Sequence, residues 1–172
     1  EPVALVAAPT REEAERAAAH LRVRLEELPP TLDFERSGES FADYLIEKGD
    51  VGRGFAAAAT VFEGTYFVGA QEHAYIEPNG MVAWPRRDGV REVRGSLQCP
   101  FYAVGALARL FGEPPESFRV VQATTGGGFG GKEEFPDVVA GHAALLADAC
   151  GHPVRLVYDR AEDMVASTKR HP

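Results

Sequence analysis

The alternation of apolar and polar residues predicts a strand–helix–strand unit within residues 1–33. Residues 3–8 are a short apolar run typical of a strand. A Thr-x-x-Glu capping box opens residues 10–20, and such a box marks the start of a helix. In residues 21–26 apolar and charged side chains alternate, which is the pattern of a half-buried strand. Two consecutive prolines then end the unit.

Residues 34–54 break this pattern with polar side chains and scattered glycines. Such a composition is typical of a loop or a linker between domains. We predict one short helix inside this stretch, at residues 40–48. A domain boundary is therefore expected here.

Residues 55–172 contain most of the predicted secondary structure. Pro100 and Gly112 bracket one helix, because proline favours the first helical turn and glycine the position after the last. Val104, Leu107 and Phe111 would form the inner face of that helix. Together the elements predict an α+β fold in two layers. Besides the helix at residues 100–112, the predicted elements are strands at residues 59–68, 74–84, 91–98, 118–123 and 154–158, a hairpin turn at Asp88-Gly89, a helix at 135–150 and a helical turn at 161–166.

Composition and charge exclude several classes of function. Of the 172 residues, 45% are apolar, which is enough to bury a core, and the net charge is −8. A surface for nucleic acid or anionic membrane needs clustered Lys and Arg, so neither partner is expected. No apolar run approaches the roughly 20 residues of a membrane-spanning helix.

Cys99 and Cys150 are too few for a disulfide scaffold and lack the spacing of metal ligands. We therefore expect a reducing, cytoplasmic setting. The chain starts at Glu1 without an initiator methionine, so we expect it to be a piece of a longer protein.

The run of glycines in residues 125–133 is the most specific feature of the chain. It has five glycines in six consecutive positions, with a single Phe among them. Such a run loses much conformational entropy on folding, and it suits places where the backbone approaches a ligand closely. A predicted strand precedes it and a predicted helix follows it. Its N–H groups would therefore converge on an anion or an oxo group.

The same residues permit a second hypothesis, a nucleotide-binding P-loop. Gly126, Gly131 and Lys132 satisfy G-x-x-x-x-G-K, and the strand–loop–helix context fits. A P-loop then needs Ser or Thr to bind magnesium, but this chain has Glu133. Two like charges at 4 Å repel by about 4 kcal/mol in a partly shielded site. Nucleotide binding is thus the weaker alternative.

Residues 126–133, GGGFGGKE, resemble the cofactor-site motif of the molybdenum hydroxylases, the family of xanthine dehydrogenases, aldehyde oxidoreductases and carbon monoxide dehydrogenase. The resemblance implies that residues 55–172 are the first part of a molybdopterin-binding domain. Residues 1–33 would be the C-terminal part of an α/β hammerhead-like domain, and 34–54 a linker. Further elements resemble the family in order and spacing, namely residues 71–78, 96–98, 153–155, 160–164 and 170–172.

The resemblance also implies roles for individual residues. In this family the dithiolene of a pterin holds the molybdenum, so no side chain of this chain is expected to bind the metal directly. Gln98 would donate a hydrogen bond to an oxo ligand, and Glu133 would face the substrate and stabilise charge developing on it. These two are the expected catalytic residues. The residues expected to contact the cofactor are Gln98, Gly127, Gly128, Phe129 and Gly130.

By the same resemblance, the full-length protein hydroxylates a small molecule, an aza-heterocycle or an aldehyde, with water as the source of oxygen. Iron–sulfur and FAD groups in partner domains or subunits would accept the electrons. The general base of the family lies beyond residue 172. We therefore expect the isolated chain to be inactive and to bind molybdopterin weakly or not at all. Oxidation of xanthine or an aldehyde by the isolated chain would contradict this.

Two other hypotheses stay open at this point. A non-catalytic domain could reuse the same scaffold, and apolar surface left exposed in the isolated chain could drive formation of a homodimer. Among the remaining polar residues, we expect His73 and Glu77 to hold a strand and its turn. Glu162 and Asp163 would pair with Arg160 or Arg170.

Overall fold

A four-stranded mixed sheet lies in the second half of the chain in the computed structural model, which describes residues 2–171. The strands are β1 (Gly80–Ala83), β2 (Arg91–Gly95), β3 (Phe118–Gln122) and β4 (Val154–Val157). Their order in the sheet is β3-β2-β1-β4. β1 runs antiparallel to both β2 and β4, whereas β2 and β3 are parallel. The predicted α+β class is confirmed.

The chain forms two units. One contains the chain up to Leu21 and from Val68 onward, and it includes the sheet; Arg22–Phe67 form the other. No helix in residues 2–171 combines the length and the apolar character that crossing a membrane requires. The α-helices are α1 (Arg11–Ala18), α2 (Val51–Ala57), α3 (Pro100–Phe111), α4 (Pro136–Cys150) and α5 (Arg160–Ala166).

Helices α3 and α4 pack against one face of the sheet and against each other. Met81, Ala83 and Val93 point from β1 and β2 into this core and are fully or almost fully buried. Alanines line much of the buried side of α4, and their small side chains let the helix approach the sheet closely. The remaining buried apolar residues of this core are Leu97, Ala103, Leu107, Phe118, Val139, Ala140, Ala143, Ala144, Ala147 and Tyr158.

The ends of α3 follow the predicted capping signals, and α4 has the same pattern. Both begin on proline, and each is followed by a glycine in the left-handed region, with φ of 64° at Gly112 and 67° at Gly151. Leu107 is buried as predicted. Ala103 takes the fully buried position that we predicted for Val104, which is only partly buried.

Arg91, at the start of β2, is a buried charge that the sequence pattern does not reveal. Its side chain is 8% exposed and pairs with Asp148 at 2.6 Å and with Glu113 at 2.8 Å. The guanidinium also lies 4.2 Å from the ring centroid of Phe111. Two carboxylates and an aromatic face offset the cost of burying the charge. The group joins the ends of α3 and α4 to the sheet.

In residues 2–33 the helix was predicted correctly and the two strands were wrong. Thr10 caps α1, and its side-chain oxygen accepts a hydrogen bond from the N–H of Glu13 at 3.2 Å. Residues 3–8 and 21–26 have no strand partner in the part of the chain described. Almost all of their side chains are exposed. Alternation leads to a strand only where a second strand can complete its hydrogen bonds, and the described chain has no such strand beside these segments.

In Arg22–Phe67 the predicted helix at residues 40–48 is absent, and α2 forms instead just after it, capped by Asp50. Asp50 accepts a hydrogen bond from the N–H of Arg53 at 2.8 Å, the contact typical of a helix start. The predicted strand at residues 59–68 is also wrong, because no neighbouring strand pairs with it in the described chain. This unit has no buried side chain among those described.

The later elements agree with prediction more closely. The Asp88-Gly89 turn is confirmed, with φ of 51° and 83° at its two central residues. The predicted strand at residues 74–84 shortens to β1, since the chain before it follows an irregular path along the glycine run. The other strands, α4 and α5 lie within about three residues of their predicted bounds.

Candidate cofactor site

The glycine run connects β3 to α4, as the strand–loop–helix pattern predicted. Gly127 and Gly130 have φ of 98° and 89°, a region that glycine adopts without strain. Phe129 between them has φ of 51° and is 76% exposed. A side chain in this region costs about 1–2 kcal/mol. The surrounding contacts must therefore hold the run in this shape.

The N–H groups of the run fall into two sets. Those at residues 126, 130, 131 and 132 donate to protein oxygens at 2.6 to 3.2 Å. Those at residues 127–129 have no acceptor among the described residues. Three successive donors therefore lack an acceptor in the described chain, around the positive φ of Phe129; Gly128 is buried, whereas Phe129 is exposed.

Gln98 lies beside these free donors. Its Oε1 accepts hydrogen bonds from the N–H groups of Gly130 and Lys132, both at 3.2 Å. Both partners are donors, so the atom facing the run must be the amide oxygen. The Nε2 amide is then left to donate elsewhere, and Gln98 is exposed. A Cβ on Gly128 would lie only 2.2 Å from Oε1, so the side chain of Gln98 keeps this position only if residue 128 is glycine.

Glu77 and Lys132 form an ion pair beneath the run. Lys132 is fully buried, and its Nζ lies 3.0 Å from Oε2 of Glu77 and 2.8 Å from Oγ of Ser96. The same Oε2 accepts from Ser96 and from the N–H of Gly126, each at 2.6 Å. Burial raises the pKa of Glu77, but the hydrogen bonds from Ser96, Gly126 and Lys132 outweigh it and lower that pKa. The carboxylate is thus held in its charged form.

The position of Lys132 is incompatible with the P-loop hypothesis. A P-loop lysine must reach the phosphates of a bound nucleotide. Here the ammonium group points into the protein and lies 4.6 Å from the ring centroid of Tyr75. Glu133, where a P-loop needs a hydroxyl, is exposed beside it. The structure gives nucleotide binding no support.

An open cleft of about 780 Å³ borders the run at Gly130 and Glu133. Its lining includes Glu133 and Glu134, which are exposed, and basic residues from the end of the described chain. This end is fixed by a two-residue β-bridge between Gln71 and Arg170. We did not predict that these basic residues line the same cleft as Glu133, since the cleft is formed by distant parts of the sequence. They are Lys169, Arg170 and His171.

A buried polar network supports the segment that lies against the run. Asp163 is fully buried and accepts from the backbone N–H and Nδ2 of Asn79 at 3.0 and 2.7 Å. Asn79 also donates to the hydroxyl of Tyr75 at 2.6 Å. Arg160 contacts Asp163 at 3.3 Å and the carbonyl of Tyr75 at 2.6 Å. The predicted pairing of Asp163 with Arg160 is confirmed.

The network matters to the site because Tyr75 and His73 pack directly against the glycines. A Cβ on Gly131 would lie 2.7 Å from Tyr75 and 2.8 Å from His73. Nδ1 of His73 is buried there without a hydrogen-bond partner among the described residues. The predicted structural roles of His73 and Glu77 agree with these contacts.

Asp137, in the first turn of α4, is the group with the most altered acidity near the site. Burial is the main reason that its pKa rises to about 6, with Arg109 opposing the rise and Glu134 adding to it. A carboxyl whose pKa is raised on folding stabilises the protein in its protonated form. That contribution is present at low pH and is lost as the pH rises from 3.8, the ordinary pKa of an aspartate, through about 6.

Asp137→Asn is therefore expected to gain stability relative to the unsubstituted protein as the pH rises from about 4 to about 7. The asparagine cannot ionise, so the buried charge that forms above pH 6 is avoided. Urea unfolding at several pH values measures this difference. Parallel stability curves for the two proteins would contradict the prediction.

The residues present fit a negatively polarised group held by backbone contacts. A Cβ on Gly127 would press against Tyr75 and one on Gly128 against Gln98, and the N–H groups at residues 127–129 lack acceptors in the described chain. The described residues contain no cluster of three or more His, Cys, Asp or Glu side chains that could hold a metal ion. Any group bound here would be recognised by backbone N–H groups and the amide of Gln98.

Known proteins with similar structures have the same fold over nearly the whole chain. Aldehyde oxidoreductase from Desulfovibrio gigas superposes with a TM-score of 0.79 at 27% identity, over 95% of this chain and 19% of the other. Quinoline 2-oxidoreductase from Pseudomonas putida 86 gives 0.75 at 26% identity, over 94% and 22%.

Sequence relatives agree with the structural ones. Rat xanthine dehydrogenase/oxidase is 37% identical over 99% of this chain, and the large molybdopterin subunit of nicotinate dehydrogenase from Eubacterium barkeri is 34% identical over the same share. The chain spans 13% of the length of the first and 42% of the second. A family model described as the molybdopterin cofactor-binding domain matches residues 34–172. The chain therefore belongs to the molybdopterin cofactor-binding domain family.

Proposed function

We propose that the glycine run and Gln98 form one wall of the molybdopterin site in a molybdenum hydroxylase. The observation that carries this proposal is the set of N–H groups at residues 127–129, which have no acceptor among the described residues, beside an amide whose oxygen is held by the run. Gly127 and Gly128 allow the cofactor to approach, and the backbone of Phe129 and Gly130 contacts it. The cofactor, when bound, supplies the two-electron oxidation of the substrate.

Gln98 acts as a hydrogen-bond donor toward the cofactor. The run fixes its direction, because two backbone N–H groups hold the amide oxygen. A donor placed before the reaction begins needs no reorganisation as charge develops, which is the main source of electrostatic catalysis. Gln98 is therefore both a cofactor contact and a catalytic residue in this proposal.

Glu133 recognises the substrate from the cleft beside the run. Its carboxylate is exposed and stands at the mouth of the site, next to Gly130. It can accept a hydrogen bond from a ring N–H or stabilise a proton on the ring. Relatives are named for xanthine, nicotinate, quinoline and aldehyde oxidation, and the first three are aza-heterocycles. An aza-heterocycle or an aldehyde is thus the proposed substrate class, with water supplying the oxygen.

The chain works, in this proposal, as part of a longer cytoplasmic enzyme that also contains iron–sulfur and FAD groups. It spans only 13% of the rat relative, and the general base is placed outside it. Residues 1–33 belong to a hammerhead-like domain, 34–54 to a linker and 55–172 to the cofactor domain. The exposed apolar side chains of Arg22–Phe67 pack against the remainder of the subunit or in a homodimer interface.

Metal and pterin analysis of the purified full-length protein tests this function. We expect about one molybdenum and one pterin per chain, and ¹⁸O from labelled water in the product of xanthine, nicotinate, quinoline or aldehyde oxidation. The isolated chain should oxidise none of these compounds. A full-length protein without molybdenum and pterin would overturn the proposal, as would product oxygen derived from O₂.

A further inference from the structure

Both ends of the glycine run meet at a single carboxylate oxygen. Oε2 of Glu77 accepts from the N–H of Gly126 at the start of the run and from Nζ of Lys132 at its end. Ser96 links the two partners, because its hydroxyl donates to Glu77 and accepts from Lys132. The residues between these two ends include the three free N–H groups.

The pair is placed to control the shape of the run. Lys132 is fully buried, and an unpaired charge there would be costly, so its ammonium group depends on Glu77 and Ser96. Its backbone N–H and carbonyl in turn contact the amide oxygen and the backbone N–H of Gln98. A movement of Lys132 would therefore change the direction of the Gln98 amide as well as the path of the run.

The run needs such a constraint because its conformation is unfavourable. Phe129 has a positive φ, and the glycines on either side gain much entropy when released. Charge-assisted hydrogen bonds are about twice as strong as neutral ones, and Glu77 makes one of them to each end of the run. Neither side chain lines the cleft in which substrate is proposed to bind.

We propose that Glu77 and Lys132 are positioning residues whose ion pair clamps the two ends of the glycine run, so that residues 127–129 and Gln98 face the cofactor. This deepens the proposed function and rests on it for the identity of the ligand. The clamp itself is a property of the protein without its cofactor. It can therefore be tested before any ligand is bound.

Amide hydrogen exchange of the full-length protein after removal of its cofactor tests the clamp. Glu77→Gln keeps the side-chain volume and removes the charge. We expect exchange at the hydrogen-bonded amides of residues 126 and 130–132 to be faster by about tenfold or more, because a hydrogen bond to a charged acceptor is lost. Arg91→Met is the matched control, since it breaks a buried ion pair far from the run. It should leave exchange in the run unchanged.

Two further variants separate positioning from mere stability. Glu77→Gln combined with Lys132→Met removes both charges and leaves none unpaired, so stability should recover while exchange in the run stays fast. Ser96→Ala keeps both charges and should give a smaller increase. The clamp is refuted if exchange in the run is no faster in Glu77→Gln than in Arg91→Met when the two variants are compared at equal global stability. It is also refuted if the double variant restores slow exchange.

In the loaded enzyme the same variants should lower kcat by about tenfold while KM changes less than about threefold, because substrate contacts are intact. If the full-length protein holds no molybdenum, the proposed function fails while the exchange result still decides the clamp. Unchanged kcat together with fast exchange would show a run that moves without affecting the reaction. That outcome would overturn the link between clamp and cofactor.

Discussion

Gly128→Ala is expected to lower kcat/KM of the full-length enzyme by about 100-fold or more, the usual effect of losing one donor that stabilises developing charge. The new Cβ would lie 2.2 Å from Oε1 and 2.6 Å from Cδ of Gln98. The glutamine is the flexible partner, so its side chain must swing away. The N–H groups of Gly130 and Lys132 then lose their acceptor, and the Nε2 amide no longer faces the cofactor.

Gly105→Ala is the matched control for this variant. Gly105 lies inside α3, and a Cβ there would approach only the side chain of Arg109, at an ordinary 3.6 Å. Replacing a mid-helix glycine by alanine adds about 0.5–1 kcal/mol of stability, so activity should be unchanged. Steady-state kinetics and molybdenum analysis of both variants measure the effect. Full activity of Gly128→Ala would show that Gln98 needs no fixed direction.

The glycine run is the part of the site that a single sequence reveals best. Its composition, the strand before it and the helix after it are all local, so they could be inferred without a structure. The direction of Lys132 could not. The letters G-x-x-x-x-G-K permit the lysine to point toward a ligand or into the protein. Its partner Glu77 lies far away in the sequence, and only the folded chain brings the two together.

The first part of the chain illustrates the opposite limit. Residues 21–26 alternate like a half-buried strand, and residues 59–68 were also predicted to be a strand, yet neither segment forms one. A strand gains stability from a partner on its edge and a core under one face. In the described chain these segments have neither a partner strand nor a core beneath them. The local sequence pattern does not reveal whether such partners exist. The capping box before α1 needs only neighbouring residues, and it was predicted correctly.

The sheet order depends on such distant contacts as well. β4 lies next to β1 and pairs with it, although β2, α3, β3 and α4 lie between them in sequence. The pairing places α5 beside the segment that precedes β1, and Asp163 then reaches Asn79. The long-range network behind the glycine run therefore follows from the topology of the sheet.

Asp163→Ala is expected to lower the free energy of unfolding by about 3–5 kcal/mol, as when one partner of a buried ion pair is removed. Asp163 is fully buried and accepts from two nitrogens of Asn79, which is itself fully buried. Without the carboxylate, the backbone N–H and Nδ2 of Asn79 lose an acceptor, and Arg160 loses its ion-pair partner. Urea unfolding followed by circular dichroism measures the loss.

Asp159→Ala provides the comparison, since it changes the same residue type on the same helix. Asp159 caps α5 by accepting from the N–H of Glu162 at 2.8 Å, and losing such a cap costs about 1 kcal/mol. A buried acceptor shared by several donors must cost more than an exposed cap with one, because no water can replace it. Equal losses in the two variants would mean that water reaches Asn79. The segment behind the glycine run would then be held by the ion pair of Glu77 and Lys132 rather than by this network.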